Sequence, residues 1–137
     1  MTGFQGGCLC GDIRYEVSSD PVLQVNCHCD DCRKATGAQF ATNLFVNEDD
    51  LTITQGEPKS FSHTSDSGNT LTKMFCPNCG SQMFGHGSGR PGVKGVKAGT
   101  VENKEVVQPG VNIYTSSALP CTVFAEGTAK HEKMPSG

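Results

Sequence analysis

The chain has no tryptophan, and its aromatic content is seven Phe and two Tyr among 137 residues. Apolar residues make up only 35% of it. A core built from so little is thin for this length, and a bound metal would help to hold it. No apolar run approaches the roughly 20 residues of a membrane-spanning helix. Residues 1–7 carry neither a basic stretch nor an apolar one, so no secretory leader is expected there. The 11 Lys and Arg residues are scattered and the net charge is −3. A nucleic-acid partner is therefore not expected, because that requires a clustered basic face. These absences leave a cytoplasmic protein with no membrane partner as the expectation. In a reducing compartment eight cysteines are an unlikely disulfide framework and a more natural set of metal ligands.

The 17 glycines and the Thr- and Val-containing segments favour strands and turns over helices. Period-two alternation predicts strands in Asp12–Val17, Phe40–Val46, Leu51–Thr54, Thr70–Phe75, Val93–Ala98 and Val111–Thr115. One short helix is expected after the central cysteine cluster, capped by Asp30 or Asp31 and ended by Gly37. The expected fold is mostly β, with several small antiparallel sheets. No repeat or domain boundary interrupts it, so residues 1–128 read as one domain. Residues 129–137 read as a polar, flexible tail. Gly87, Gly89 and Gly92 have G-x-G-x-x-G spacing, but Pro91 interrupts them and a strand follows. A dinucleotide fingerprint must open a helix, so this segment reads as a hairpin loop.

Three cysteine clusters carry the chemistry. Cys76-Pro77-Asn78-Cys79-Gly80 is a C-x-x-C-G knuckle, and its glycine tolerates the left-handed turn that aims backbone N–H groups at the sulfurs. A knuckle supplies two ligands, and structural zinc takes four. Cys8 and Cys10, also followed by a glycine, would complete a four-cysteine site. The alternative is a thioredoxin-type redox pair, which calls for a βαβ setting that this sequence does not show.

Cys27-His28-Cys29-Asp30-Asp31-Cys32 offers three thiols in six residues. Cys27 and Cys29 share a side if the segment is extended, and Cys32 folds back from the first helical turn. His28 then points away and reads as a satisfied or solvent-facing histidine. Three protein ligands leave a position open, as catalytic zinc does. Zinc on three thiolates is net negative and acidifies water poorly, so it suits a soft thiolate ligand better than a hydrolytic water. The reaction this favours is attack of a substrate sulfur on a small aldehyde carbonyl. Two alternatives stay open: closure of the site by Cys121, His63, His86 or His131, and metal-free redox chemistry of Cys27, Cys29 and Cys32. Arg33 and Lys34 stand beside the cluster, either as partners for substrate carboxylates or as an exposed basic turn.

These clusters, in this order, resemble the glutathione-dependent formaldehyde-activating enzyme family, whose domain also occurs in centromere protein V. The resemblance rests on Gly7-Cys8-Leu9-Cys10-Gly11 with Arg14-Tyr15-Glu16-Val17 and on Cys27 to Lys34 with Gly37 and Phe40. It also rests on Phe75-Cys76-Pro77-Asn78-Cys79-Gly80 and Lys97-Ala98-Gly99-Thr100-Val101. It implies a zinc-ribbon-related, β-tent-like fold of small antiparallel sheets around a structural zinc on Cys8, Cys10, Cys76 and Cys79. It also implies a catalytic zinc on Cys27, Cys29 and Cys32, with glutathione as cosubstrate. The implied activity is a carbon–sulfur lyase that condenses glutathione with formaldehyde to S-(hydroxymethyl)glutathione. The competing functional readings are a thiol-binding or protein-docking zinc module without turnover, and a purely structural zinc protein. One segment departs from the family pattern. Where an aromatic residue, often Trp, commonly follows a small-residue–Pro step, this chain has Ser117-Ala118-Leu119-Pro120-Cys121.

Overall fold

A computed structural model describes residues 2–134. Among them are eleven strands and one α-helix. They run β1 (Phe4–Gly7), β2 (Arg14–Val17), β3 (Leu23–Cys27), α1 (Asp30–Thr36), β4 (Ala41–Asn47), β5 (Leu51–Gln55) and β6 (Lys59–Thr64). There follow β7 (Thr70–Phe75), β8 (Gln82–Gly87), β9 (Val93–Lys97), β10 (Val111–Ile113) and β11 (Ala129–Lys130). The fold is mostly β, as the composition implies. The strands form a three-stranded antiparallel sheet, β1-β2-β5, and an eight-stranded sheet, β11-β10-β3-β4-β9-β8-β7-β6. The larger sheet is not wholly antiparallel, because β10 lies parallel to both β3 and β11. Long connections bring β10 and β11 in from distant parts of the chain, and alternation within a strand does not reveal its partner's direction.

The six strands expected from alternation all form. β3, β6 and β8 do not stand out in the sequence, since polar or glycine residues such as Asn26, His63 and Gly85 occupy their interiors. The helix ends at Gly37, which is left-handed as expected, but neither Asp30 nor Asp31 caps it. Cys29 is the N-cap: its sulfur accepts the Cys32 N–H at 3.3 Å. The two aspartates occupy the first turn, where negative charge complements the helix dipole. Of the expected tail, Ala129–Lys130 adds a strand to β10, and His131 and Lys133 accept hydrogen bonds from Thr115 and Tyr114. Residues 135–137 lie outside the described residues.

The alternation of β4 divides the molecule. Leu44 and Val46 point to one side of the large sheet and are completely buried. There they pack with Ile13, Tyr15 and Val17 of the small-sheet layer and with Met83, Phe84 and Val96. Tyr15 stands at the centre of this core. Its ring meets Phe84 edge-on at 5.1 Å, and its hydroxyl pairs with Thr100 Oγ1 at 2.9 Å. In a chain without Trp, this tyrosine is the largest fully buried side chain. Ala41, Asn43 and Phe45 point to the opposite face, where a second, smaller core gathers around Val25, Cys27 and Ile113. Gly6 bridges β1 to Val101. A Cβ there would overlap the Thr100 carbonyl and the Tyr15 hydroxyl, so the small sheet can lie this close only with glycine at that position.

Leu44→Ala should cost about 2–5 kcal/mol of folding stability, because the central strand cannot collapse into the gap. Denaturant unfolding of the metal-loaded protein checks this, and a loss under about 1 kcal/mol would contradict the packing described.

Candidate metal centres

Four sulfurs meet where the first turn of the chain touches the knuckle after β7. Those of Cys8, Cys10, Cys76 and Cys79 all lie within 4.8 Å of one another. Cys10 Sγ is 3.6 Å from Cys8 Sγ and 3.8 Å from Cys76 Sγ. Each pair is carried by a turn that a left-handed glycine closes: Gly11 donates to the Cys8 carbonyl and Gly80 to that of Cys76. These turns aim donors at sulfur, with Ile13 N–H on Cys8 at 3.3 Å and Cys79 N–H on Cys76 at 3.5 Å. The Ser81 hydroxyl sits 3.2 Å from Cys79 Sγ and accepts the Leu9 N–H, so it links the two turns. Hydrogen bonds from the Ser81 hydroxyl and backbone hold the Cys79 thiol down to about 5. Four unpaired cysteines, convergent and supplied with donors that favour thiolate, fit a soft tetrahedral cation such as zinc.

The second group lies on the other face of the large sheet. Cys27 ends β3, Cys29 caps α1, and Cys32 sits in its first turn. Their sulfurs are also mutually within 4.8 Å, with Cys27 and Cys29 3.4 Å apart. Hydrogen bonds from Cys27 and Cys32 push the Cys29 thiol strongly down, whereas those same contacts and burial push Cys27 up. Cys29 therefore ionises first and its neighbours act as donors to it. This half-buried trio of thiols, placed at a helix N-terminus, fits three ligands to a soft cation.

No fourth ligand joins that trio among the described residues. Cys121 is exposed and belongs to neither sulfur group. His63 Nδ1 lies 3.9 Å from Asp31 Oδ2, His86 is exposed on β8, and His131 lies beyond β11. His28 is buried rather than solvent-facing: its Nε2 meets Asn112 Oδ1 at 3.2 Å, and its ring packs against Phe40 and Phe124. Arg33 is paired with Asp30 at 3.3 Å. Lys34 lines a groove of about 490 Å³ between α1 and strands β6 to β8, with Phe61, His63, Lys73 and Gln82. His63 Nε2 and Gln82 Oε1 are buried there without partners.

Several residues around the trio were not legible in the sequence. Lys97 donates to Asn43 Oδ1 at 2.7 Å. Burial pushes its ammonium down, and the thiolates of Cys32, Cys27 and Cys29 oppose that push. Lys73 favours the ionised Cys29. Tyr114 packs on the second core with φ 56°, the one non-glycine left-handed residue among those described. Only strand pairing brings these residues to the cysteines. The isolated motif V-K-G-V-K gave no sign of which lysine faces them.

A family model described as glutathione-dependent formaldehyde-activating enzyme matches residues 3–117. The chain belongs to that family. Membership supports a glutathione-dependent, formaldehyde-activating function in general terms, with those two small molecules as substrates. A crystal structure of a Rhodobacter sphaeroides protein superposes with a TM-score of 0.58 at 21% identity, covering 77% of this chain and 96% of that one. At that identity the likeness speaks to the fold alone. No helix of the described residues is long and apolar enough to cross a membrane.

Cys76→Ser should leave the first site one thiolate short and bring the protein close to unfolding, since structural zinc contributes on the order of 10 kcal/mol in small modules. Cys121→Ser, a change on the exposed surface, should leave melting within about 0.5 kcal/mol of wild type. Parallel thermal melts test both, and a cooperatively folded, stable Cys76→Ser protein would contradict the first site.

Proposed function

We propose that the chain is a zinc-dependent carbon–sulfur lyase of the S-(hydroxymethyl)glutathione synthase type, joining glutathione to formaldehyde. Its structural zinc is assigned to Cys8, Cys10, Cys76 and Cys79, and its catalytic zinc to Cys27, Cys29 and Cys32. The observation that carries this reading is the trio itself: three convergent sulfurs and no fourth protein ligand among the described residues, with a groove beside α1 that Asp31 and Lys34 help to line. Bound there, zinc would lower a thiol's pKa so that the nucleophile is available near neutral pH.

The residues around the trio supply the remaining requirements. Lys34 and Lys73 give the groove positive charge suited to glutathione's carboxylates. Arg33 would have to exchange Asp30 for a substrate carboxylate to join them. The unpartnered His63 Nε2 and Gln82 Oε1 offer polar contacts to a peptide-like ligand, and the Phe61 and Phe75 rings cover its apolar stem. Asp31, already close to His63, is placed to meet an amino group. A ligand lying in this groove would have its thiol directed toward the N-terminal turn of α1, where Cys29 and Cys32 sit. Eight unpaired cysteines fit a reducing, cytoplasmic setting.

Cys32→Ser should retain the fold and the first metal while weakening the second, with turnover reduced by at least about 100-fold. Native mass spectrometry counts the metals, and aldehyde consumption in the presence of glutathione reports turnover. Full activity in that variant would remove the trio from the reaction. Glutathione uptake by the wild type without aldehyde consumption would instead favour a thiol-binding module.

A further inference from the structure

The registers of the large sheet assemble a second feature beside the trio. Cys27 lies opposite Ala41 on β4, and Asn43, two residues on, lies opposite Lys97 on β9. Side chains two apart on a strand share a face, and diagonal neighbours stand about 7–8 Å apart, within reach of a long side chain. Cys27, Asn43 and Lys97 therefore rise from the same face. Lys97 is held there by its 2.7 Å bond to Asn43, which is itself buried. Next along this face, Gly95 of β9 pairs with Gly85 of β8, the Phe45 ring lies over Gly95, and Lys73 of β7 stands opposite Gly85. An ammonium anchored by Asn43 thus stands on the face that carries Cys27, and the three thiolates favour its charge.

We propose that Lys97, positioned by Asn43, donates a hydrogen bond to the aldehyde oxygen as that oxygen takes on negative charge. This rests on the thiol–aldehyde reading above and names a residue for it. In the step, a sulfur electron pair forms the C–S bond and the carbonyl π pair moves onto oxygen. That oxygen then takes a proton from water, and the proton released earlier by the thiol restores the balance. No oxidant, reductant or further reactant is needed. Arg33 is engaged by Asp30, Lys34 lines the groove beside α1, and Lys73, opposite Gly85, shares the face and favours the ionised Cys29. Of these cations, Lys97 is the one fixed by a hydrogen bond on the face that carries Cys27.

The test compares wild type, Lys97→Met and Lys97→Gln, all zinc-loaded, with folding and zinc content measured first. Native mass spectrometry then follows the uptake of ethanethiol and of mercaptoacetate, whose carboxylate places negative charge near the position of the reacting oxygen. Wild type should prefer mercaptoacetate by about ten-fold, as a charge-assisted hydrogen bond would give. Both variants should lose that preference while still taking up ethanethiol. With glutathione and formaldehyde, kcat should fall about 100-fold with little change in KM for the thiol. The proposal is overturned if wild type shows no preference, or if a folded variant keeps the preference or keeps its kcat. Uptake of neither thiol by wild type would overturn the thiol-site reading and this inference together. Uptake of both without preference would overturn the inference alone.

Discussion

The convergence of Cys8, Cys10, Cys76 and Cys79 is the constraint on which the rest depends. Cys10 and Cys76 are 66 residues apart in sequence, yet their sulfurs lie 3.8 Å from each other. Holding them together closes a long loop, a cost that grows slowly with length but is substantial once the ends must meet in one geometry. A cation shared by four thiolates would offset it directly. The two turns that carry these sulfurs also carry the ends of the structure they join, with β1 and β2 on one side and β7 and β8 on the other. Their union lays the small sheet against Leu44, Val46 and Phe84 of the large one.

The large sheet then serves two faces with one backbone. Because strand side chains alternate, the residues of β4 that build the main core necessarily turn Ala41, Asn43 and Phe45 the other way. That reverse face holds only the smaller of the two cores. It gathers Val25, Cys27 and Ile113, and it leaves Asn43 and Lys97 polar at the margin. A partly apolar, partly charged surface next to a helix N-terminus is a poor contributor to stability and a suitable place for reactive sulfur. Tyr114, held left-handed at the edge of this core, shows that local backbone strain is tolerated there.

The segment in which this chain departs from the family pattern follows from the same division. Cys121, where an aromatic residue is common, is exposed and belongs to neither sulfur group. Phe124 packs on His28 instead, as does Phe40, and His28 is in turn held by Asn112 of β10. The histidine between Cys27 and Cys29 is thus a packing residue that fixes the turn. Its neighbours point at the site because it points away from it.

The cysteine spacings by themselves determined a great deal. They gave which sulfurs group together, where the short helix stands, and that one group lacks a fourth sulfur, because ligand spacing is a local property of turns and strand ends. Alternation identified the strands with apolar periodicity, and glycine at position 37 ended the helix. The sequence did not disclose that Cys29 rather than an aspartate caps α1, since a thiol is an uncommon cap and the choice depends on how Cys27 delivers the chain. Nor did it disclose β3, β6 and β8, whose stability comes from pairing more than from their own side chains. Tertiary structure alone decided that Ala129–Lys130 joins β10, that β10 runs parallel to β3, and that Lys97 and Asn43 share a face with Cys27. Each of these is a matter of register between distant strands, and a shift of one residue would send every such side chain to the opposite face.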